Sequence, residues 1–362
     1  MRSVSVTSAY GYLLLVLLMG ACTQAEQIPG SLKHIRYRPK AVAVTDPARF
    51  VRMDIPEDNQ LTEAGVTLGR KLFFDPMLSV DSSVSCATCH QPARAFTDGL
   101  ALSQGIEGRT GGRNAPSLLN VGYYTTGLFW DGRVATLEEL MLHPVRDTNE
   151  MGQNWDALVQ QLQTHPEYPV LFRKAFGIER TEEIDAGLTA RALSQFVRTL
   201  ISGNTRYDQY KAGLITLTES EDRGRRIFFD IADGVPTSEC GHCHVEPLFS
   251  GLEYFNNGLD ESYDPSALAD AGLGKVTGRS GDMGRFRTPS LRNIALTAPY
   301  MHDGRFKTLS EVLDHYISGG QHGDNVHPNI RKLDFTEQDK SDLINFLQAL
   351  TEGNAQKHFA DL

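Results

Sequence analysis

Apolar residues recur at helical spacing in several stretches of the 362-residue chain. This periodicity predicts helices over residues 156–164 and 183–201, and a last helix over 336–350 with Thr336 as its N-cap. The apolar faces of the three helices consist of Leu158, Val159 and Leu162; of Leu188, Ala192, Leu193, Phe196, Val197 and Leu200; and of Leu343, Ile344, Phe346, Leu347 and Leu350. Strand patterns are sparse, and Gly-rich stretches such as 99–113 and 272–284 predict loops. The pattern indicates a mainly α protein with much irregular structure.

Blocks of this pattern occur twice along the chain. GRKLFFD at 69–75 returns as GRRIFFD at 224–230, and RNAPSLLNV at 113–121 returns as RTPSLRNI at 287–294. WDGR at 130–133 likewise matches HDGR at 302–305. Repetition of several blocks in one order indicates two related units. We therefore predict two tandem domains, 50–205 and 206–362, which follow a proline-containing linker at 23–49.

A short apolar run marks the N-terminus. Residues 13–20, LLLVLLMG, follow Arg2 and have the length of a signal-peptide core rather than of a membrane span. Gly20-Ala21 before Cys22 resembles a lipobox, so residues 1–22 read as a signal peptide whose end supplies a lipidated Cys22. The alternative is ordinary cleavage nearby, with Cys22 removed or left free. Both interpretations predict export, and the first predicts a periplasmic protein held to a bacterial membrane only by its N-terminal lipid.

The formal net charge of −10 narrows the class of partner. An acidic surface argues against nucleic-acid binding and is compatible with a basic patch on a redox partner. The composition does not identify that partner.

The four cysteines besides Cys22 lie in two C-x-x-C-H motifs, Cys86–His90 and Cys240–His244. Two cysteines three residues apart lie about one helical turn apart, so both sulfurs can bond the haem vinyl groups and the His can ligate the iron. A zinc ribbon would place its CxxC halves closer together, and a thioredoxin-like pair does not explain the His. The motifs predict two covalently bound haem c groups, on Cys86, Cys89 and His90 and on Cys240, Cys243 and His244, and therefore electron transfer or redox catalysis.

The order of these motifs resembles bacterial di-haem cytochrome c peroxidases and their relative MauG. CxxCH, RNAPSL, FWDGR, an EM pair, the second CxxCH and TAPYMHDG follow one another in that order, and the likeness covers roughly residues 50–350. The resemblance implies two cytochrome c-like domains, each with one covalently bound haem, and an active site at the first haem. It implies that the second haem relays electrons and that a calcium ion lies between them.

The resemblance also assigns individual residues. Trp130 matches the tryptophan between the haems, and Glu150 matches the distal glutamate. Asn114 and the backbone carbonyls of Thr297 and Pro299 match the calcium ligands, and oxygen ligands suit that cation.

Three positions depart from the typical peroxidase pattern. Residues 91–113 contain no His that could close the first haem, and Leu140 stands where the family has a glutamine. Tyr316 aligns with the axial Met of the peroxidases' second haem, and MauG also has Tyr there. The other candidate ligands of that iron in the sequence are Met283, Met301, His302 and His315. On these points the sequence lies nearer to MauG.

The sequence thus predicts a periplasmic di-haem peroxidase that reduces hydrogen peroxide with electrons from a small redox protein, a cytochrome c or a cupredoxin. Two alternatives stay open: MauG-like oxidation of residues on a partner protein, and a non-catalytic di-haem electron carrier. A homodimer is compatible with the sequence.

Overall fold

The structure is a computed structural model that describes residues 29–231, 233–261 and 268–353. The predicted signal run and Cys22 lie outside the described residues. Within the described part of the chain, no helix is both long and apolar enough to cross a membrane.

Helices dominate the first half of the described chain. Six of them are α1 (Glu63–Phe74), α2 (Cys86–Cys89), α3 (Leu137–Arg146), α4 (Trp155–Thr164), α5 (Tyr168–Phe176) and α6 (Ala186–Val197). The predicted helix at 156–164 corresponds to α4. The one predicted at 183–201 is shorter, because the Asp185 side chain accepts a hydrogen bond from the Leu188 amide and thereby caps α6 at its start.

The second half repeats this arrangement with a small sheet added. Its elements are α7 (Arg206–Lys211), α8 (Glu219–Phe228), α9 (Cys240–Cys243), β1 (Tyr254–Phe255), α10 (Leu273–Thr277), β2 (Phe286–Arg287), α11 (Leu309–Ser318) and α12 (Glu337–Ala349). β1 and β2 pair antiparallel, with Tyr254 opposite Arg287. Thr336 caps α12 as predicted, since its hydroxyl accepts a hydrogen bond from the Asp339 amide at 3.2 Å.

Two separate hydrophobic cores hold these elements. The first is built from buried residues between Leu32 and Leu200, and the second from buried residues between Tyr207 and Leu350. A small cluster that contains Met53, Tyr123 and Leu248 joins the two halves.

The same helix crossing occurs in both cores. α1 packs across α6 and α8 packs across α12, and at each crossing a glycine of the repeated block lies against the backbone of the facing helix. A Cβ on Gly69 would lie 1.9 Å from the carbonyl oxygen of Ala192, and one on Gly224 would lie 2.0 Å from that of Asp342. The repeated glycine is therefore explained by backbone-to-backbone contact.

Gly224→Ala is accordingly expected to destabilise the second half by about 1–3 kcal/mol, because the added methyl group meets a backbone carbonyl that cannot rotate away. Chemical denaturation followed by circular dichroism measures this loss. Gly281→Ala is the matched control, since a Cβ there meets no atom within 4 Å. Equal stability of the two variants would contradict the packing argument.

Residues 29–49 lie along the first half of the chain, where the sequence predicts a linker. Leu32 is buried in the first core, its amide donates to the Glu179 carbonyl at 2.8 Å, and Ala41 pairs with Thr62 in an antiparallel bridge. Isolated bridges and a single buried side chain leave no periodic signal, so the sequence pattern does not reveal this docking. The loop predicted at 272–284 likewise contains the short helix α10.

Candidate functional site

Each C-x-x-C-H motif forms a four-residue helix whose histidine follows directly. His90 Nδ1 donates to the carbonyl oxygen of Phe96 at 2.9 Å, and His244 Nδ1 donates to that of Phe249 at 3.0 Å. Since a carbonyl only accepts, the proton lies on Nδ1 and the lone pair on Nε2. A backbone contact of this kind is the usual way in which a ligating histidine is oriented.

The protonation of these groups suits haem ligation. Burial lowers the pKa of His90 and lowers that of His244 to about 4, so both imidazoles are neutral at pH 7. Cys86, Cys89, Cys240 and Cys243 are all free of disulfides. Both motifs therefore present two thiols and one oriented, neutral imidazole, which fits a covalently attached c-type haem.

A cavity of about 230 Å³ opens beside the second motif. Cys240, Cys243 and His244 line it, and so do Met301 and Tyr316. Trp130 and Asn114 from the first half line it as well, so this cavity extends to the boundary between the halves. Its largely apolar lining suits a macrocycle.

Glu150 lies near the first motif, in the turn that follows α3. Burial is the largest cause that raises the pKa of its carboxyl to about 7, with a smaller contribution from Asp147 and an opposing one from Arg133. Its charge also adds to the effect of burial on the pKa of both Cys86 and Cys89. The structure thus places a carboxyl poised near neutrality beside the first haem-attachment site.

The loop at 99–113 packs against this turn. Ile106 N donates to the carbonyl oxygen of Glu150 at 2.8 Å, and a Cβ on Gly105 would lie 2.1 Å from the carbonyl oxygen of Asn149. A glycine at 105 allows this approach. This loop, which contains no His, supports Glu150 through its backbone. Leu140 lies on α3, which leads into the same turn.

Trp130 lies at the boundary between the halves, where two hydrogen bonds mirror each other. The amide of Asn114 donates to the carbonyl of His302 at 2.7 Å, and the amide of Arg287 donates to the carbonyl of Trp130 at 2.8 Å. In the repeated blocks Asn114 corresponds to Arg287 and Trp130 to His302, so the duplication generates a pseudo-twofold contact. The buried Trp130 indole also donates from Nε1 to the Asn114 carbonyl at 2.9 Å.

The three residues predicted to bind calcium line one cavity. The side-chain nitrogen of Asn114, Nδ2, donates to the Leu100 carbonyl at 2.8 Å, so Oδ1 of the same side chain points away from that hydrogen bond. Among the described residues, no hydrogen bond reaches Asn114 Oδ1 or the carbonyl oxygens of Thr297 and Pro299. Oxygens that accept no hydrogen bond are free to act as ligands, and oxygen ligands suit a hard cation.

Only some of the candidate ligands for the iron of the second haem lie together beside the second motif. Tyr316, Met301 and His302 line the cavity, whereas Met283 and His315 do not belong to its lining. Asn257 Nδ2 donates to the Tyr316 hydroxyl at 3.1 Å and lies 3.6 Å from the sulfur of Met301. Tyr316 and Met301 therefore share one side-chain amide, and the cavity presents both as candidate ligands.

Two residues at the site carry no function in the sequence reading. Asn257 contacts Tyr316 across 59 positions of sequence, and no local pattern signals that contact. Arg287 belongs to a repeated block, but its burial at 5% exposure is visible only in the fold. The one signal in the sequence that could have singled out Arg287 is that a charged residue stands where the first repeat has the uncharged Asn114.

Two oriented histidines, each following a CxxC helix, define a di-haem c-type cytochrome. Residues 63–215 match the family described as di-haem cytochrome c peroxidase. The chain is 37% identical over 309 residues to the methylamine utilization protein MauG of Methylorubrum extorquens, covering 84% of this chain and 83% of that protein. It is 34% identical to the cytochrome-c peroxidase IdrP1 of Pseudomonas sp. (strain SCT), covering 84% and 85%.

A solved structure agrees with these relatives. A MauG-like protein associated with microbial copper homeostasis superposes with a TM-score of 0.77 at 36% identity, covering 87% of this chain and 97% of that one. The chain belongs to the di-haem cytochrome c peroxidase/MauG family, a family of haem oxidoreductases.

Proposed function

We propose that the chain is a peroxidase that reduces hydrogen peroxide at the His90 site with electrons from an external redox protein. The single observation that carries the proposal is the position of Glu150, partly buried near Cys86 and Cys89 with a pKa of about 7. Two cytochrome c-like domains, one around each core, would each hold one haem c. When bound, the haems supply the electrons that cleave the peroxide bond.

Glu150 performs the acid–base work in this proposal. Its carboxylate accepts the proton from one peroxide oxygen and returns it to the other, which leaves as water. The overall balance is one peroxide, two protons and two electrons to two waters. A carboxyl with a pKa near the working pH can both accept and donate, whereas an ordinary glutamate would hold the proton too weakly.

Trp130 is the proposed relay between the two haem sites. Its indole is fixed by the hydrogen bond to the Asn114 carbonyl, and its own carbonyl is held by Arg287. The indole therefore has one orientation at the boundary, as an electron relay requires. Calcium bound by Asn114, Thr297 and Pro299 would hold the same boundary from the cavity side.

MauG-like oxidation of residues on a partner protein is the second candidate. It is favoured by the identity of 37% to a MauG and by a tyrosine rather than methionine at 316. A non-catalytic carrier is the third, and it normally has both irons closed by protein ligands. The His-free loop at 99–113 supports an open first site instead.

Steady-state turnover separates these functions. We expect rapid peroxide consumption with a reduced cytochrome c or cupredoxin as donor, measured by donor oxidation in the absorption spectrum. Rapid peroxide-dependent oxidation of a protein substrate, with slow donor oxidation, would favour the MauG-like function. If no peroxide is consumed in either assay, the remaining candidate is a non-catalytic electron carrier.

We further propose export to the periplasm with lipidation at Cys22, on the basis of the residues before it. Cys22→Ser should convert a membrane-associated protein into a soluble periplasmic one, as measured by cell fractionation and mass spectrometry of the N-terminus. A wild-type protein that is already soluble, with its N-terminus elsewhere, would contradict lipidation.

A further inference from the structure

Arg287 is a buried cation that has no counter-ion among the described residues. Its side chain is 5% exposed, Nε donates to the Phe129 carbonyl at 3.1 Å, and the guanidinium lies 4.5 Å from the centre of the Tyr124 ring. Nη1 is fully enclosed and has no hydrogen-bond partner, and no carboxylate among the described residues lies within ion-pair distance of Arg287. Burying an arginine in this way is costly unless an anion compensates its charge.

Other buried arginines in the described chain have such an anion. Arg198 pairs with Glu138 at 2.5 Å, and Arg292 pairs with Asp208 at 2.7 Å. Arg113, the neighbour of Arg287 across the boundary, contacts Asp131 at 2.7 Å and Asp270 at 2.6 Å. Arg287 therefore lacks what the fold supplies to comparable residues.

The place of Arg287 indicates which anion is missing. Arg287 lines the cavity that Cys240, Cys243 and His244 also line. A haem attached to those cysteines would bring two propionate carboxylates into the same cavity as Arg287. Arg292 lines the cavity too, but Asp208 already uses its two terminal nitrogens.

We propose that Arg287 binds a propionate of the haem at His244 and neutralises its charge. This inference rests on the proposed occupancy of the second motif by haem c. Because the amide and Nε of Arg287 also hold the carbonyls of Trp130 and Phe129, the ion pair fixes the haem edge to the segment that carries the relay tryptophan. Arg287 is thus a positioning residue that also sets the charge at the second haem.

The test is a potentiometric titration of the two-haem protein, with electron paramagnetic resonance to follow each ferric haem separately. In Arg287→Gln an uncompensated propionate favours ferric iron. At a fixed solution potential, the ratio of reduced to oxidised second haem should fall about tenfold. This corresponds to a reduction potential that is lower by about 59 mV for a one-electron couple. Arg287→Lys keeps the charge and should restore most of the potential. Arg198→Gln removes an equally buried arginine of the first half and should leave the second haem's potential unchanged.

A loaded Arg287→Gln protein with a wild-type potential would overturn the propionate pair, as would a Lys variant that shifts as far as Gln. If the intact mass of the wild-type protein shows that no haem is attached to the second motif, the proposed function is overturned instead. If Arg287→Gln does not accumulate, infrared difference spectra of wild type with 13C-labelled propionates decide. The paired carboxylate should stay ionised at pH 5, and a protonated propionic-acid band there would overturn the proposal.

Discussion

Glu150→Gln is expected to slow the reaction with hydrogen peroxide by about 10²–10⁴-fold while both haems stay attached, because general acid–base assistance is typically of this size. Gln matches the shape of Glu but cannot accept the peroxide proton. Stopped-flow mixing of the oxidised protein with peroxide measures the rate, and the resting absorption spectrum checks that the haem sites are intact.

The pH dependence of the wild-type rate gives this role a second signature. Burial raises the pKa of Glu150 to about 7, so the carboxyl is mostly protonated below that pH and cannot accept a proton. The rate should therefore rise as pH rises through about 7, and this rise should vanish in Glu150→Gln. Asp147→Asn removes a charge that raises the Glu150 pKa, so its profile should move to lower pH.

A matched control lies in the neighbouring loop. Glu107 is an acid that pairs with Arg109, and it is not among the groups that shift the pKa of Glu150. Glu107→Gln should react with peroxide at the wild-type rate. Unchanged kinetics in Glu150→Gln, or an equal loss in Glu107→Gln, would remove Glu150 from the mechanism.

Local patterns predict a large part of this fold. The cap at Thr336 and the apolar faces of α4, α6 and α12 arise from neighbouring residues, so the sequence reveals them. The cap at Asp185, which starts α6 later than predicted, is not among these predictions. The haem-attachment residues are equally local, because C-x-x-C-H is one turn of helix. The repeated blocks predict the duplication, and the structure adds its reason at Gly69 and Gly224.

Contacts between distant residues are what the sequence could not supply. The linker prediction at 23–49 missed the docking of Leu32 on residues near 179, since one buried side chain has no period. The support of Glu150 by Gly105 and the missing counter-ion of Arg287 depend on the tertiary fold in the same way. Family resemblance singled out Glu150, but the fold supplies the burial and the neighbouring Asp147 that raise the pKa of its carboxyl to about 7.

Tyr316→Phe is expected to change the absorption and paramagnetic resonance spectra of one haem and leave the other as in wild type. We propose that the Tyr316 oxygen is the axial ligand of the haem at His244. The side chain lines that cavity on α11, and Asn257 donates to its hydroxyl oxygen at 3.1 Å. Burial raises the pKa of Tyr316 to about 12 and the hydrogen bond from Asn257 opposes this shift, so a tyrosinate here depends on ligation to a metal ion. Phe removes the ligand atom at nearly constant volume.

The competing ligand is Met301, and the two make opposite predictions. A thioether ligand raises the haem potential and favours ferrous iron, whereas an anionic oxygen favours the higher oxidation state. With Tyr316 as ligand, wild type should lack the near-infrared features of His/Met haem and should react with peroxide without prior reduction.

Met301→Leu separates the two ligands directly. Both side chains lie next to Asn257, with the Met301 sulfur 3.6 Å from its Nδ2, so the variants perturb the same corner of the cavity. Tyr316→Phe should also raise the reduction potential of the second haem, so this haem is reduced more readily than in wild type. Met301→Leu should keep the wild-type ligand signature, because the phenol oxygen remains. A His/Met signature in wild type that disappears in Met301→Leu and persists in Tyr316→Phe would assign the sulfur to the iron and make the second haem an easily reduced electron store.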